Sequence, residues 1–134
     1  MQLQMNNVVS YFSKKYTIMH NFQKLEVWKA SMELTTEIYN YTKNFPDNEV
    51  YGITSQMRRC SISIPSNIAE GSGRKTNKEF VHFLSIANGS SYELQTQIIV
   101  SNNIGYINEE VKDSLTTKLF SVQKMIYTLI QKFS

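Results

Sequence analysis

The 134-residue chain has few of the residues that interrupt or cross-link a polypeptide. Its 2 prolines and 5 glycines are too few for a sheet protein with many short strands. Its single cysteine, Cys60, excludes an internal disulfide and favours a reducing, cytoplasmic compartment. No apolar run approaches the ~20 residues of a membrane span, and no apolar block with a cleavage site predicts secretion. We therefore expect a cytoplasmic protein without membrane contact.

The chain also has little excess of positive over negative charge. The net charge is +3, from 14 basic and 11 acidic residues. Residues 1–20 contain Lys14 and Lys15 and no acidic residue, so residues 21–134 carry +3 less 2, or +1. A global basic field is therefore absent, and nucleic-acid binding would depend on a local patch.

Helical periodicity dominates the chain after its first 20 residues. Residues 1–20 show no sustained period and are interpreted as a poorly defined arm, whereas 21–134 form one domain. Apolar residues recur at helical spacing over about 25–43, 48–70, 77–103 and 109–133, as on the buried face of an amphipathic helix. Short linkers between such helices predict an all-α, up-and-down antiparallel four-helix bundle.

Local signals predict where these helices begin and end. Asp47 or Asn48 is a candidate N-cap of the second helix, Thr76 with Glu79 forms a capping box for the third, and Asn108 caps the fourth. Glycines at 71–73 and at Gly105 are expected to end the second and third helices.

The second helix carries two unlike stripes. One is apolar and predicts a core face: Val50, Ile53, Met57, Cys60, Ile64 and Ile68. The other is polar and is called here the polar stripe: Gln56, Arg59, Ser63, Asn67 and Glu70. Its short hydroxyl and amide side chains suit contact with a protein surface or a ligand. Pro65 predicts a kink, with Ser61 and Ser63 satisfying the freed backbone groups.

These patterns combine into longer motifs in the first three predicted helices and in the turns that connect the helices. The motifs are Phe22-x-x-Leu25-x-x-Trp28, Phe45-Pro46-x-x-Glu49-x-Tyr51-Gly52, Gln56-x-x-Arg59-x-x-x-Ser63-Ile64-x-x-Asn67-Ile68-Ala69-Glu70-Gly71-x-Gly73-Arg74, Glu79-Phe80-x-x-Phe83-Leu84-x-Ile86-Ala87-x-Gly89-Ser90-x-x-Glu93-Leu94 and Gly105-Tyr106-Ile107. On these residues the chain resembles the 23S rRNA intervening-sequence protein family of small bacterial four-helix bundles, from about Phe22 to Phe133.

The resemblance implies a fold and an assembly more than a chemistry. The molecular role of the family is generally unassigned. Its members are similar to the accessory variability protein of diversity-generating retroelements, a basic pentameric barrel that binds nucleic acid and a reverse transcriptase. By similarity, a homopentamer is expected here. Small residues at Gly89, Ser90 and Ser91 would permit close helix approach within the bundle or between subunits.

Arg59 and Glu93 lie on adjacent predicted helices, at heights that antiparallel packing could bring together. We expect a buried or half-buried ion pair that fixes helix register, with Ser63 and Asn67 completing its hydrogen bonds. In the alternative, Arg59 contacts phosphate at a subunit surface.

Four basic residues are predicted to form a local positive patch around the second helix and the following turn: Arg58, Arg74, Lys75 and Lys78. Such a run is either an ordinary solvated face or a phosphate-binding surface. Binding to phosphates would be non-specific in sequence and steeply salt-dependent.

Signals for catalysis are weak. Glu79-x-x-His82 resembles half of a di-iron motif, but a second copy is missing and Glu79 is already explained as part of the capping box. Ser63 and Ser66 lack a nearby base at helical spacing, and neither a Gly-x-Ser-x-Gly elbow nor a phosphate-binding glycine loop is present. We therefore expect no enzyme, metal or cofactor. The leading hypothesis is an oligomer that binds RNA, DNA or an RNA-associated partner, and the alternative is a protein-interaction scaffold without nucleic-acid affinity.

Overall fold

The computed structural model describes residues 21–134, so the predicted arm at 1–20 lies outside the described residues. These contain four α-helices and no strand: α1 (Glu26–Thr42), α2 (Ile53–Ser72), α3 (Asn77–Asn103) and α4 (Glu109–Phe133). Two 3-10 turns, Phe22–Lys24 and Asp47–Glu49, precede α1 and α2. Consecutive helices pack together and α4 also packs against α1, whereas diagonal pairs make no close backbone contact within 21–134. The predicted all-α four-helix bundle is confirmed.

Each helix contributes one apolar stripe to a shared core. Pairs of fully buried side chains recur at helical spacing, such as Leu34 with Ile38 on α1 and Ile64 with Ile68 on α2. The same holds for Leu94 with Ile98 on α3. Burial of each such side chain contributes about 1.5–3 kcal/mol to stability, so the four apolar stripes hold the bundle together.

Two N-caps are confirmed and one is wrong. The Glu79 backbone N–H donates to Thr76 Oγ1 at 3.2 Å, and the Val111 N–H donates to Asn108 Oδ1 at 2.9 Å. The predicted start of α2 at Asp47 or Asn48 is wrong, because these residues form a separate 3-10 turn and α2 begins at Ile53 after Gly52.

The late start of α2 also removes one residue from its predicted core stripe. Val50 lies in the turn and is 52% exposed, whereas Met57, Ile64 and Ile68 are buried. At the other ends, α2 continues to Ser72 with Gly73 as its C-cap, and Gly105 follows α3 with a φ of 83°. The left-handed backbone at Gly105 explains why glycine occupies that turn.

The α2 helix is continuous through Pro65. Because Pro65 has no N–H, the Ser61 carbonyl loses its helical donor. The hydroxyl of Thr35 on α1 lies 2.8 Å from that carbonyl and 2.8 Å from the Ser31 carbonyl, so its proton can serve either acceptor. The predicted local relief by Ser61 and Ser63 is wrong, since the Ser61 hydroxyl donates to the Arg58 carbonyl and Ser63 bonds to α3. The kink itself stays a prediction.

Candidate interaction face on helices α2 and α3

The centre of the polar stripe contacts α3 directly. Ser63 Oγ and Ser90 Oγ are 2.9 Å apart, and either hydroxyl can be the donor. Asn67 Nδ2 donates to the Ser63 carbonyl at 2.8 Å and to Ser63 Oγ at 3.0 Å. The predicted association of Ser63 with Asn67 is therefore present. It is linked to α3 through Ser90, a residue predicted only to permit close helix approach.

One turn earlier on α2, a thiol occupies the contact with α3. Cys60 Sγ donates to Glu93 Oε2 at 3.1 Å, and Gln97 Nε2 lies 3.4 Å from the same sulfur. Burial, together with the hydrogen bond to Glu93, raises the pKa of the Cys60 thiol to about 11. The thiol is therefore neutral near pH 7 and acts as a packed donor, since nucleophilic chemistry requires the thiolate.

The predicted buried ion pair between Arg59 and Glu93 is wrong. Both residues are exposed, and no ion pair joins them within the described part of the chain. The physical reason is helical rotation. Cys60 takes the contact with Glu93, and the preceding residue is turned by about 100° because the helix has 3.6 residues per turn. Arg59 therefore faces outward.

The two ends of the polar stripe are likewise exposed. Gln56 faces solvent, and Glu70 Oε1 accepts from Arg74 Nη2 at 2.7 Å on the surface of the helix. The stripe is thus not one network: only Ser63 and Asn67 are joined to each other, while Glu93 is joined to α2 through Cys60.

A surface depression lies beside this stripe. It has a volume of about 460 Å³ and is called the α2–α3 depression; its lining residues are Ile53, Gln56, Glu93, Thr96, Gln97 and Val100. Two of these are apolar, and the others present amide, hydroxyl and carboxylate groups. A surface of this composition can accept apolar side chains and hydrogen-bond donors.

The predicted basic patch divides into two parts. Arg58 faces α1, where its Nε donates to Thr42 Oγ1 at 2.9 Å and its guanidinium lies 4.9 Å from the Tyr39 ring centroid. The other three residues surround the α2–α3 turn, about 20 Å further along the helix axis. Arg58 is therefore not part of a common patch.

At the α2–α3 turn, Arg74 is paired with Glu70 and its guanidinium lies 4.7 Å from the Phe83 ring centroid. Lys75 and Lys78 are exposed and make no ion pair among residues 21–134. The turn therefore presents two unpaired lysines and one partly neutralised arginine.

The outward face of α3 was not among the sites predicted from the sequence. Between Glu79 and Glu109, Glu93 is the only Asp, Glu, Lys or Arg. On that face Ile86 is 40% exposed and Val100 is 41% exposed. A Cβ added at Gly89 would meet no atom within 4 Å. The missing signal was the charge-poor interval itself, because an exposed helix face ordinarily carries many charges.

The Glu79-x-x-His82 pair shows no sign of a metal site. Glu79 Oε2 accepts from the Thr76 hydroxyl at 3.0 Å, and the His82 ring lies edge-on to Phe83 at 5.4 Å between centroids. Across residues 21–134, no group of three or more His, Cys, Asp or Glu side chains could hold a metal ion. Over the same residues, no helix combines the length and apolar character needed to cross a bilayer.

Comparison with known proteins identifies the family. Residues 23–128 match the model of the family described as 23S rRNA-intervening sequence protein. The chain belongs to this family. The resemblance drawn from the motifs is thereby confirmed, whereas the relation to the retroelement accessory protein stays a prediction. No curated protein matches the chain.

A solved structure with the same fold supports the architecture. It is a protein with unknown function from the S23 ribosomal protein family from Bacteroides thetaiotaomicron VPI-5482. Its sequence is 23% identical, the TM-score is 0.73, and the match covers 78% of this chain and 95% of that one. At this identity the likeness shows the fold alone.

Proposed function

We propose that this member of the 23S rRNA-intervening sequence protein family is a non-catalytic protein that assembles from identical subunits through the α2–α3 face. The observation that carries the proposal is the composition of that face. Its α3 half is exposed to solvent in the single chain, yet Glu93 is the only Asp, Glu, Lys or Arg between Glu79 and Glu109, while the α2 half presents the exposed Arg59. Depletion of charged residues is the compositional mark of the core of a protein interface.

The side chains of this face also lower the cost of association. Ser63, Asn67 and Ser90 are held by hydrogen bonds within the single chain. Ordering a long lysine or glutamate on binding would cost up to about 2 kcal/mol, whereas short side chains that are already fixed cost less. A homopentamer is the assembly that the family resemblance favours, and the single cysteine favours a cytoplasmic location.

A second candidate function is nucleic-acid binding at the α2–α3 turn. Lys75 and Lys78 are exposed without an ion-pair partner in the described chain. They stand beside the start of α3, whose helix dipole also favours anions. In an oligomer the turn would be repeated in every subunit, and multivalency would convert weak phosphate contacts into measurable affinity. An RNA-associated protein partner with an acidic surface would use the same turn.

Light scattering on the full chain tests self-assembly. We expect a mass that is a multiple of the 15.5 kDa subunit and a return to the subunit mass in Val100→Glu, which adds a second carboxylate to the depression that Glu93 also lines. Met32→Glu on α1 is the matched control, because Met32 is 39% exposed and Val100 is 41% exposed. A wild-type chain that remains monomeric at high concentration would overturn the proposal.

Binding of a single-stranded and a double-stranded oligonucleotide across a salt series tests the second candidate. We expect affinity at low salt that falls steeply as salt rises and is reduced by Lys75→Ala with Lys78→Ala. Lys29→Ala with Lys43→Ala on α1 is the control for net charge. If the protein assembles but has no affinity for oligonucleotides at low salt, nucleic-acid binding is contradicted and the scaffold function is the one that stands.

A further inference from the structure

A second exposed apolar surface lies on the other side of α3. Four large side chains form it, and it is called the aromatic strip: Tyr92, Ile99, Phe120 and Tyr127. Their exposed fractions are 56%, 41%, 66% and 63%. Nothing in the described chain covers them.

Helical spacing gathers these four residues into one patch. Gln123 Nε2 on α4 donates to Gln95 Oε1 on α3 at 3.0 Å, which marks a point where the two helices meet. Tyr92 and Ile99 lie three residues before and four residues after Gln95, and Phe120 and Tyr127 stand in the same relation to Gln123. Residues so spaced share a helix face. Because α3 and α4 run antiparallel, the two tyrosines are neighbours, as are Ile99 and Phe120.

The size and charge of the strip favour a protein partner. With about 150–250 Å² for a whole aromatic side chain, its exposed area is roughly 400 Å². That is about half of the ~800 Å² per partner of a typical stable interface, so the strip needs a second surface to complete one. None of its four members is charged. The exposed Lys124 lies beside the strip, four residues after Phe120, but a nucleic-acid groove would require several cations along the strip to contact phosphates.

We propose that the aromatic strip of one copy docks into the α2–α3 depression of the next copy. This inference rests on the proposed self-assembly and names the second half of its interface. The depression offers Ile53 and Val100 to the apolar rings, and Gln56 and Glu93 as acceptors for tyrosine hydroxyls. The aromatic strip thus combines hydroxyl donors with apolar rings, and the α2–α3 depression combines acceptors with apolar side chains.

The heights of the two surfaces along the bundle agree. On α3 the depression is lined by residues from Glu93 to Val100, and the strip extends from Tyr92 to Ile99. The two therefore lie within about one helical turn of the same level, roughly 5 Å. A rotation about an axis parallel to the helices therefore brings the strip of one copy onto the depression of the next with little shift along that axis. Such a head-to-tail contact closes into a ring when the rotation between copies is a whole fraction of 360°, because no translation then accumulates from copy to copy.

Two variants test the pairing of unlike surfaces in the full-length protein. Phe120→Glu breaks the strip, and Val100→Glu breaks the depression. Both residues are exposed in the single chain, at 66% and 41%, so we expect circular dichroism to show folded helices in each. Each variant alone is expected to be monomeric, with self-association weakened by more than about tenfold. Met32→Glu is the control and is expected to assemble as the wild type does.

Mixing the two variants gives the decisive readout. The intact strip of Val100→Glu can dock into the intact depression of Phe120→Glu, so a one-to-one complex of two chains is expected in light scattering. The complex cannot grow, because its outer surfaces are the broken ones. If the wild type is monomeric, the proposed self-assembly fails as well as this inference.

Other outcomes overturn the inference alone. In one, Phe120→Glu assembles like the wild type, so the strip is not an interface. In another, one variant alone remains dimeric, which shows that like surfaces pair. In a third, the variants fail to form the mixed complex although the wild type assembles. In the last, Phe120→Glu loses oligonucleotide binding but keeps its assembly, which would assign the strip to nucleic acid.

Discussion

The α2–α3 side and the α1–α4 side of the bundle pack against the same hydrophobic core. They differ in the polar contacts between their two helices and in the residues that they expose to solvent. Between α1 and α4, Lys118 Nζ donates to Glu37 Oε1 at 2.5 Å. Between α2 and α3 the polar contacts include a pair of serine hydroxyls and a thiol bonded to Glu93, and none of the contacts between these two described helices is an ion pair. Charged residues populate α4 along its length, whereas α3 has a single one after its first turn.

This difference separates two kinds of information in the sequence. The inner stripes are alike on both sides because both must fill the same core. The outer residues are free of that demand, so their composition reports what lies outside the subunit. A solvated side accumulates charges, and a side that contacts protein loses them.

The largest expected effect tests the shared inner packing. Leu94→Ala on α3 and Leu119→Ala on α4 each remove a side chain that is at most 1% exposed. We expect each to lower the free energy of unfolding by about 3 kcal/mol, from lost burial and the resulting cavity. Urea unfolding measures both. A difference of more than about 2 kcal/mol between the two variants would show that the cores of the two sides are not equivalent.

A smaller effect, the pH dependence of stability, distinguishes the thiol contact between α2 and α3 from the ion pair between α1 and α4. The pKa of Cys60 is raised from 9.0 to about 11. Below pH 9 the thiol is protonated in both the folded and the unfolded chain, so its stabilisation is complete. As pH rises toward 11 the unfolded chain ionises first, and the stabilisation is lost.

Urea midpoints at about pH 8 and about pH 10 measure this term. The wild type is expected to lose about 1 kcal/mol more than Cys60→Ala over that interval. Lys118→Gln is the control for the α1–α4 contact and is expected to retain the Cys60-dependent loss. Equal losses in the wild type and Cys60→Ala would contradict the assigned shift of the thiol pKa.

The smallest effect has the opposite sign and concerns the outer face of α3. A Cβ added at Gly89 meets no atom within 4 Å, so Gly89→Ala is expected to stabilise the separated subunit by about 0.5–1 kcal/mol. Gly105→Ala is the contrasting variant. Its φ of 83° is unfavourable for alanine and predicts a loss of about 1 kcal/mol. Thermal unfolding in the Val100→Glu background measures both, and destabilisation by Gly89→Ala there would show an intramolecular role for this glycine.

Much of the fold could be predicted from local sequence. Thr76, Asn108 and Gly105 act within a few residues of themselves, so their roles are visible without the rest of the chain. The start of α2 could not be predicted in this way. Glu49 Oε2 accepts from the Tyr106 hydroxyl at 3.1 Å, which ties the turn before α2 to the turn after α3, and no local pattern contains that contact.

In the candidate site, too, contacts within one helix could be predicted and contacts between helices could not. Ser63 and Asn67 are four residues apart on one helix, so their association follows from helical spacing. The contact across to α3 depends on the rotation of each helix about its axis. Cys60 contacts Glu93, while Arg59, one position away, does not. The aromatic strip also requires the register between α3 and α4, which no single-helix pattern contains.

The hydroxyl of Thr35 close to the Ser61 carbonyl has an evolutionary consequence. Proline at position 65 creates an acceptor without a donor, and a residue 30 positions earlier, on another helix, supplies the donor. In related chains the two positions should therefore change together: where an ordinary residue replaces the proline, selection no longer needs a hydroxyl at position 35.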